Sequence, residues 1–490
     1  MTEVGSDPFV DPVHLSEDRP NAEGSTLAVG RNASLTLATE SLIVLGSKTT
    51  LVVPFFNILW AETSGHYVTI QYAKPTSKNV VRVVSIHYLV DKPQDDHVIS
   101  WVSRLLNRAY GVSQKNKKIK VLVNPFGGQG KAQKWFLRDI EPIFAAAKCE
   151  LNVERTLYRG HAVEIAEKLD VDSFDVVACC SGDGLPHEVF NGLGKKSDAS
   201  QALSTIAVVQ LPCGTGNAMS LNLFGTDSTS VAALCVVKGI RTPLDLTSVT
   251  QGDTRTLSFL SQSVGIVAEV DLGTEHLRWM GSARFTYGFL VRIIRKTVWP
   301  CEVAVKLDIA TKSEIKAHYG RFLSQSPLRP LSRSLDRVAG SSLPPLLHGD
   351  VKSSMPTNFT PIPAHKLGNF YAGNMALMAP GANFFPAALP SDGYLDLITI
   401  DGDIGRLAAI QSFLAVENGK FFDMPHVGYR KISGYRIKPL GGSEGYISID
   451  GERVPFEEFQ AEVHRGLGRT LSRTARGYEV DGVLPRPDLV

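Results

Sequence analysis

The sequence predicts an α/β fold joined to mainly antiparallel β structure, laid out in three parts along 490 residues. Three observations carry that reading. Short β-type runs crowd residues 25–90, strands alternate with helical stretches between about 117 and 241, and strand and hairpin patterns return after about 241. A chain of this length exceeds one ordinary hydrophobic core, so two or three domains are expected.

Residues 1–24 are polar and rich in Pro, Asp and Glu, which predicts a disordered N-terminus. The small β module of residues 25–112 follows, built from runs such as Leu42-Ile43-Val44-Leu45 and His66-Tyr67-Val68-Thr69-Ile70 and closed by a helical pattern around Trp101. Several strands followed by one Trp-bearing helix resemble a pleckstrin-homology-like domain in topology. No basic cluster marks a phosphoinositide pocket there, which favours a packing or docking role over a lipid-headgroup reader. A charged linker at 114–118 introduces the α/β region of 117–241. Its strand-like runs are 119–123, 151–157, 174–180 and 206–210, with helices between them, the signature of a parallel sheet. The β-rich region of 242–475 carries a Ser-, Pro- and Arg-rich stretch at 322–363, expected to be a mobile surface insertion, and 476–490 reads as a tail.

Composition narrows the function classes. With 43% hydrophobic and 20% charged residues the chain reads as soluble and globular, and a net charge of +2 offers no domain-wide basic surface for nucleic acid. The start is acidic and polar, unlike a secretory signal, and no apolar run reaches the roughly 18 residues that span a bilayer. Any membrane contact is therefore expected to be peripheral. Six scattered cysteines without a C-x-x-C pair suit a reducing, cytoplasmic compartment; adjacent Cys179 and Cys180 fit a core strand, with palmitoylation as the alternative.

The chemistry concentrates in three Gly-rich strand-to-helix turns: Asn124-Pro125-Phe126-Gly127-Gly128-Gln129-Gly130-Lys131, Ser181-Gly182-Asp183-Gly184 and Gly214-Thr215-Gly216-Asn217. Glycines let a backbone approach an oxyanion with its N–H groups, and open α/β sheets bind ligands at such strand ends. None of the turns is a Walker A loop or a GxGxxG fingerprint. Asp183 needs a role beside phosphates that would repel it: receiving the proton of an attacking hydroxyl, or meeting Mg²⁺. Its simpler reading is an Asx-type turn. Downstream, Arg278 and Arg284 would approach one anion if their helix breaks at Gly281; otherwise they form a solvated face. Asp450-Gly451-Glu452 ends a strand in an acidic turn, or is a plain hairpin.

Together these residues resemble the diacylglycerol-kinase-like lipid kinases, most closely the sphingosine (sphingoid long-chain base) kinases of larger fungal or plant type, over 117–310 and 365–475. The resemblance implies a three-layer nucleotide-binding domain, a β-sandwich lipid-binding domain, and ATP with Mg²⁺ in the cleft. It places Asn124, Gly127, Gly128, Thr156, Ser181, Gly182, Gly184, Gly214, Thr215, Gly216 and Asn217 around the nucleotide. Arg278 and Arg284 would stand on its β- and γ-phosphates. Asp450, Gly451 and Glu452 would lie beside the nucleotide, Glu452 reaching Mg²⁺ through water. Asp183 would be the general base and Asp271 the partner of a sphingoid ammonium. The stretch from Phe285 to Arg295 would wall the acyl channel, or pack a core. One departure is Phe126, where the family usually has a basic residue. Phosphorylation of a sphingoid base in peripheral contact with a membrane is the function implied. A kinase for diacylglycerol or ceramide would fit all but Asp271, and a silent scaffold would be expected to lose Asp183 or the arginines. NAD kinase has related turns, but the length and the Asp271 block fit it poorly. Dimerisation through the β-rich domain is left open.

Overall fold

The computed structural model describes residues 25–30, 32–91, 95–274, 287–289, 291, 297–325, 342–417, 419–440 and 445–484. The stretch of 1–24 expected to be disordered lies outside them, as do Arg278 and Arg284. The chain forms two compact units.

The first unit starts from alternation. Leu27, Val29, Leu35, Leu37, Leu42 and Val44 point inward from Thr26–Val29, Ala33–Leu37 and Ser41–Leu45, which with Thr50–Pro54 make a four-stranded antiparallel sheet. Ile58–Ser64, Tyr67–Ser77 and Val80–Leu89 make a three-stranded one. The helix Asp96–Tyr110 follows, capped by Asp95 accepting from His97 N–H, with Trp101 fully buried and its Nε1 donating to Ser25 O at 3.1 Å.

This unit does not stop at the expected boundary near residue 112. Residues Trp135–Leu151 and Ser228–Gly239, from inside the α/β stretch, belong to it. Buried Asp139, on a π-helical turn at Phe136–Ile140, accepts from Arg82 at 2.6 Å, Arg138 at 2.7 and 2.8 Å and Thr229 at 3.1 Å. Burial alone would raise its pKa; the two guanidiniums and the Thr229 hydroxyl reverse this and hold it below the usual carboxylate value. Lys238 is buried beneath the Tyr110 ring and donates to Ile58 O and Ala109 O, and burial drives its pKa down.

The second unit is organised by one long mixed sheet. Lys118–Val123, Val176–Ser181 and Ala207–Pro212 run parallel, and the last two are buried at every position. Such two-sided burial demands continuous apolar runs, which these are. The antiparallel part is not separate from it. The C-terminal strand Phe459–Ser472 pairs with Ile240–Gln251 and Gly428–Pro439 and touches the parallel strand at Ala207↔Arg469. Phe370, Tyr435 and Phe459 form the aromatic centre of the antiparallel core, with ring centroids 4.9 and 5.7 Å apart.

The stretch 322–363, expected to be a mobile insertion, is described over 322–325 and 342–363. The helix Lys312–Ser324, opened by a Thr311–Glu314 capping box, enters it, and residues 342–363 are tied down. Leu347 and His348 N–H donate to Glu462 at 2.9 and 2.8 Å, and Arg436 donates to Asp350 O and Ser353 O, both at 2.9 Å. Thr360–Ile362 then pairs as a strand with Cys301–Ile309. Residues 326–341 lie outside the described ones. The tail also packs: Tyr478 is buried and donates to Asn374 O at 2.7 Å. Among the described residues no single helix is long and apolar enough to cross a membrane.

Candidate active site

The register of the parallel strands sets three loops side by side. Asn124 N–H donates to Cys180 O and Cys213 N–H to Ser181 O, so the ladder continues past the strand ends. The loops then meet backbone to backbone. A Cβ on Gly128 (φ +57°) would stand 2.4 Å from Cys213 O, and one on Gly214 would stand 2.3 Å from Gly182 Cα. No side chain fits at either point, so the Gly-rich sequence is the condition for a continuous surface of backbone amides.

That surface forms one end of a cavity of about 730 Å³. Asn124, Gly127, Gly128 and Thr156 line it, followed by Ser181, Gly182, Gly184, Gly214, Thr215 and Gly216. Asp183, Asp271, Asp450, Gly451 and Glu452 line the same cavity. The other end is apolar, with Phe289, Phe384 and Phe413 packed at centroid distances of 5.1 and 6.4 Å, and Val267, Val270, Leu260 and Val416 around them. A smaller cavity of about 90 Å³ shares Val267, Phe289, Phe384, Phe413 and Val416 and reaches Trp299 and Ile400. Of the stretch 285–295 only 287–289 and 291 are described, and Phe289 is on the wall.

Asp183 stands at the start of the helix Gly184–Gly194. Its Oδ1 accepts from Gln210 Nε2 at 3.1 Å and Met219 N–H at 3.0 Å, and its Oδ2 from Ala218 N–H at 3.0 Å. Burial raises its pKa above the ordinary aspartate value, the three donors pull it back down, and neighbouring Asp450 adds to the rise. Gly216 keeps the approach to Oδ2 open, since a Cβ there would lie 3.2 Å from that oxygen. Asp271, on the helix Ile266–Gly273, lies against Gly451, whose added Cβ would be 3.7 Å from Asp271 Oδ2. Ser448 Oγ reaches the same oxygen at 3.5 Å. Glu452 Oε1 faces Gly184, and its other oxygen is ion-paired with Arg159.

Two residues expected on the nucleotide are engaged by bonds within the protein. Asp450 accepts from Ser258 Oγ, Leu260 N–H and Ser261 N–H on Oδ1 and from Phe259 N–H and His187 Nδ1 on Oδ2, at 2.6–3.0 Å. With every lone pair engaged, it shapes the floor of the cavity. Asn217 is in the left-handed region (φ 55°) and exchanges two bonds with Gly214, at 2.9 and 3.0 Å. It locks the third loop and does not line the cavity. Arg278 and Arg284 lie outside the described residues.

Sequence reasoning missed Arg159, Glu188 and Gln210. Glu188 lines the cavity and accepts from Gly160 and Ala162 N–H at 3.0 and 3.1 Å, opening the helix His161–Glu167. Gln210 is fully buried and bridges Asp183 to Ser220 N–H. A signal existed for Gln210, an amide inside the otherwise apolar run Ala207–Pro212. Arg159 had none, because its partner is 293 residues away.

A family model described as the diacylglycerol kinase catalytic domain matches residues 118–249. A second, described only as a domain of unknown function, matches 25–111. Sphingoid long chain base kinase 5 of Saccharomyces cerevisiae is 33% identical over 95% of this chain and 73% of its own length. Sphingoid long chain base kinase 4 of Schizosaccharomyces pombe is 33% identical over 90% and 92%. Sphingosine kinase 1 of Arabidopsis thaliana is 31% identical over 73% and 75%. A crystal structure of a Bacillus anthracis chain assigned to the diacylglycerol kinases superposes with a TM-score of 0.51 at 18% identity, covering 74% of this chain and 98% of that one, a likeness of fold. The N-terminal antiparallel module, the mixed-sheet α/β kinase fold and these relatives agree: the chain belongs to the fungal-type sphingoid long chain base kinases, a family of lipid kinases built on the diacylglycerol kinase catalytic domain.

Proposed function

We propose that this chain transfers the γ-phosphoryl group of ATP to the primary hydroxyl of a sphingoid long-chain base, with Asp183 as general base. One observation carries the reading: Asp183 lines a single cavity with a glycine cradle at one end and an aromatic, apolar lining at the other. A hydroxyl on a long-chain amphiphile and a polyphosphate need that pair of environments around one proton acceptor. Oδ2 takes the proton in this reading, because it accepts one bond among the described residues while Oδ1 accepts two.

ATP is read onto the cradle because Gly128 and Gly214, where a Cβ would stand 2.4 Å from Cys213 O and 2.3 Å from Gly182 Cα, bring the loops together backbone to backbone along the cavity. Arg159 supports the polyphosphate end, and Arg278 and Arg284 are expected to join it. Among the described residues no group of three ligating side chains is assembled for a metal. Mg²⁺ would be carried on the phosphates, with Glu452, whose Oε1 faces Gly184, as the acid to reach it. Bound there, it would supply charge neutralisation for the transferred group. Asp271 supports the choice of a sphingoid base over a neutral lipid: a carboxylate in a partly apolar cavity pairs with an ammonium and penalises a lipid that lacks one.

For the flanking parts, the four- and three-stranded sheets followed by the Trp101 helix support a pleckstrin-homology-like reading of the first unit. The antiparallel core beside the aromatic cluster supports a sandwich-like lipid-binding half. Six free cysteines, five of them buried, support a reducing compartment, with the protein reaching membranes peripherally for its substrate.

The test compares ATP turnover on sphinganine, ceramide and diacylglycerol in mixed micelles. Sphinganine is expected to be the acceptor. Phosphorylation of the neutral lipids alone would overturn the assignment.

A further inference from the structure

Phe126 and Tyr158 line the cavity yet remain 75% and 53% exposed. Large aromatic surface left open at the rim of a built cavity is surface waiting for a flat partner. Their placement follows from the sheet. Thr156 N–H donates to Val123 O at 3.0 Å, which sets the loop after Thr156 beside the loop after Val123. Phe126 is presented from an Asx turn, its N–H donating to Asn124 Oδ1 at 3.0 Å, one residue before the Gly127-Gly128 cradle. Tyr158 is held at both ends. Its hydroxyl bonds Glu164 at 2.9 Å, and its ring packs tilted against His161, with centroids 4.8 Å apart and planes 36° from parallel. A ring pinned this way has lost its freedom before any ligand arrives, so stacking on it carries little further ordering penalty.

We propose that Phe126 and Tyr158 form the stacking platform for the nucleobase of ATP. The inference rests on the proposed use of ATP. With the triphosphate on the cradle amides, the base extends toward the solvent-facing rim, where these two rings are the exposed aromatic surface of the cradle end. The lipid chain has its own aromatic lining around Phe289, Phe384 and Phe413, so the rim pair is not needed for it. A face-stacked base is gripped without reading its edges, so this site is expected to discriminate weakly between purines.

The experiment uses the full-length enzyme and three probes: ADP affinity by titration calorimetry, inhibition by inorganic tripolyphosphate, and KM for ATP and for sphinganine. Phe126→Ala should weaken ADP and raise the KM for ATP about tenfold, in the range of one lost base–aromatic contact. KM for sphinganine and tripolyphosphate inhibition should stay within twofold, and Phe126→Trp should restore ADP affinity. Equal weakening of tripolyphosphate would mean that Phe126 shapes the phosphate loop and would overturn the proposal. A rise in KM for sphinganine with unchanged ADP affinity would assign the ring to the lipid and overturn it as well. If the wild type binds ADP but does not phosphorylate sphinganine, the proposed reaction fails while the platform is still read from ADP affinity.

Discussion

Replacing Asp450 separates a structural acid from a nucleotide ligand. Its carboxylate has no exposed surface and receives three backbone N–H groups in succession, from Phe259, Leu260 and Ser261, together with Ser258 Oγ and His187 Nδ1. In Asp450→Ala the hydroxyl and the imidazole can turn to other partners, but the three amides cannot. A buried donor left unsatisfied costs about 1–3 kcal/mol, so three amides bound the loss at about 3–9 kcal/mol. Local relaxation and a water in the vacated space bring the expected value to about 3–5 kcal/mol, a large part of the ~5–15 kcal/mol that holds a domain together. Asp450→Asn keeps one acceptor oxygen and turns an amide NH₂ toward Phe259 N–H, and should lose about 1–3 kcal/mol. Urea unfolding of the full chain, followed by circular dichroism, should show the midpoint of Asp450→Ala falling by about 1–2 M at an unchanged slope. ADP affinity, measured at low temperature where the variant is still folded, should drop only modestly. A variant with the wild-type midpoint that no longer binds ADP would refute the reasoning and return Asp450 to the nucleotide.

Asp183→Asn should lower kcat by about 10²–10⁴, the usual worth of a positioned general base, with ADP affinity near wild type by calorimetry. Because burial raises the Asp183 pKa, the acid limb of the kcat profile should lie above the pH 4 or so of an ordinary aspartate, with activity lost as pH falls through it. Gly216→Ala and Gly214→Ala should part company. The first puts a methyl 3.2 Å from Asp183 Oδ2 and should reduce kcat in a folded protein, whereas the second collides with Gly182 Cα at 2.3 Å and should lower the melting temperature. Burial pushes Asp245 up to about 8, so the folded state holds its proton and the stability this gives is lost as pH rises from about 4 toward 8. His464 is held down to about 4 by burial and Arg255, which costs stability below its usual 6.5. Above pH 6.5 the Asp245 contribution therefore acts without that opposition: the melting temperature should fall between 6.5 and 8, and Asp245→Asn should flatten the slope.

The parts of this site that the sequence made legible are those set by local rules. A buried strand reads as an apolar run, a tight βα turn as glycine, and their succession as a parallel sheet, which is why Gly127, Gly182, Asp183 and Gly214 could be gathered before any coordinates. The parts that stayed hidden depend on partners distant along the chain. Residues 342–363 look like a loose insertion because their composition lacks a period, yet Glu462, Gln460 and Arg436 supply the bonds that a strand ladder would otherwise provide. That residues 135–151 and 228–239 join the first unit was hidden for a similar reason. Arg82 and Asp139 are 57 residues apart, and nothing local to either marks them as a pair.

The same distinction explains why the acids and amides of the motifs were harder to assign than the glycines. A carboxylate has about four acceptor sites, and which of them the protein itself occupies cannot be read from a motif. Among the described residues Asp450 receives five donors and has no acceptor site left for a ligand; Asp183 receives three, distributed so that Oδ2 keeps an open side where Gly216 lacks a Cβ. Two aspartates that look alike beside glycine in the sequence are thus divided by hydrogen-bond accounting into one that builds the cavity and one that can act in it. Asn217 falls on the building side by the same count, since its amide oxygen and nitrogen both return to Gly214. In a site walled by glycine, where backbone does the contacting, the polar side chains mostly hold loops in place. The chemical role then falls to the acid that the fold has left incompletely satisfied.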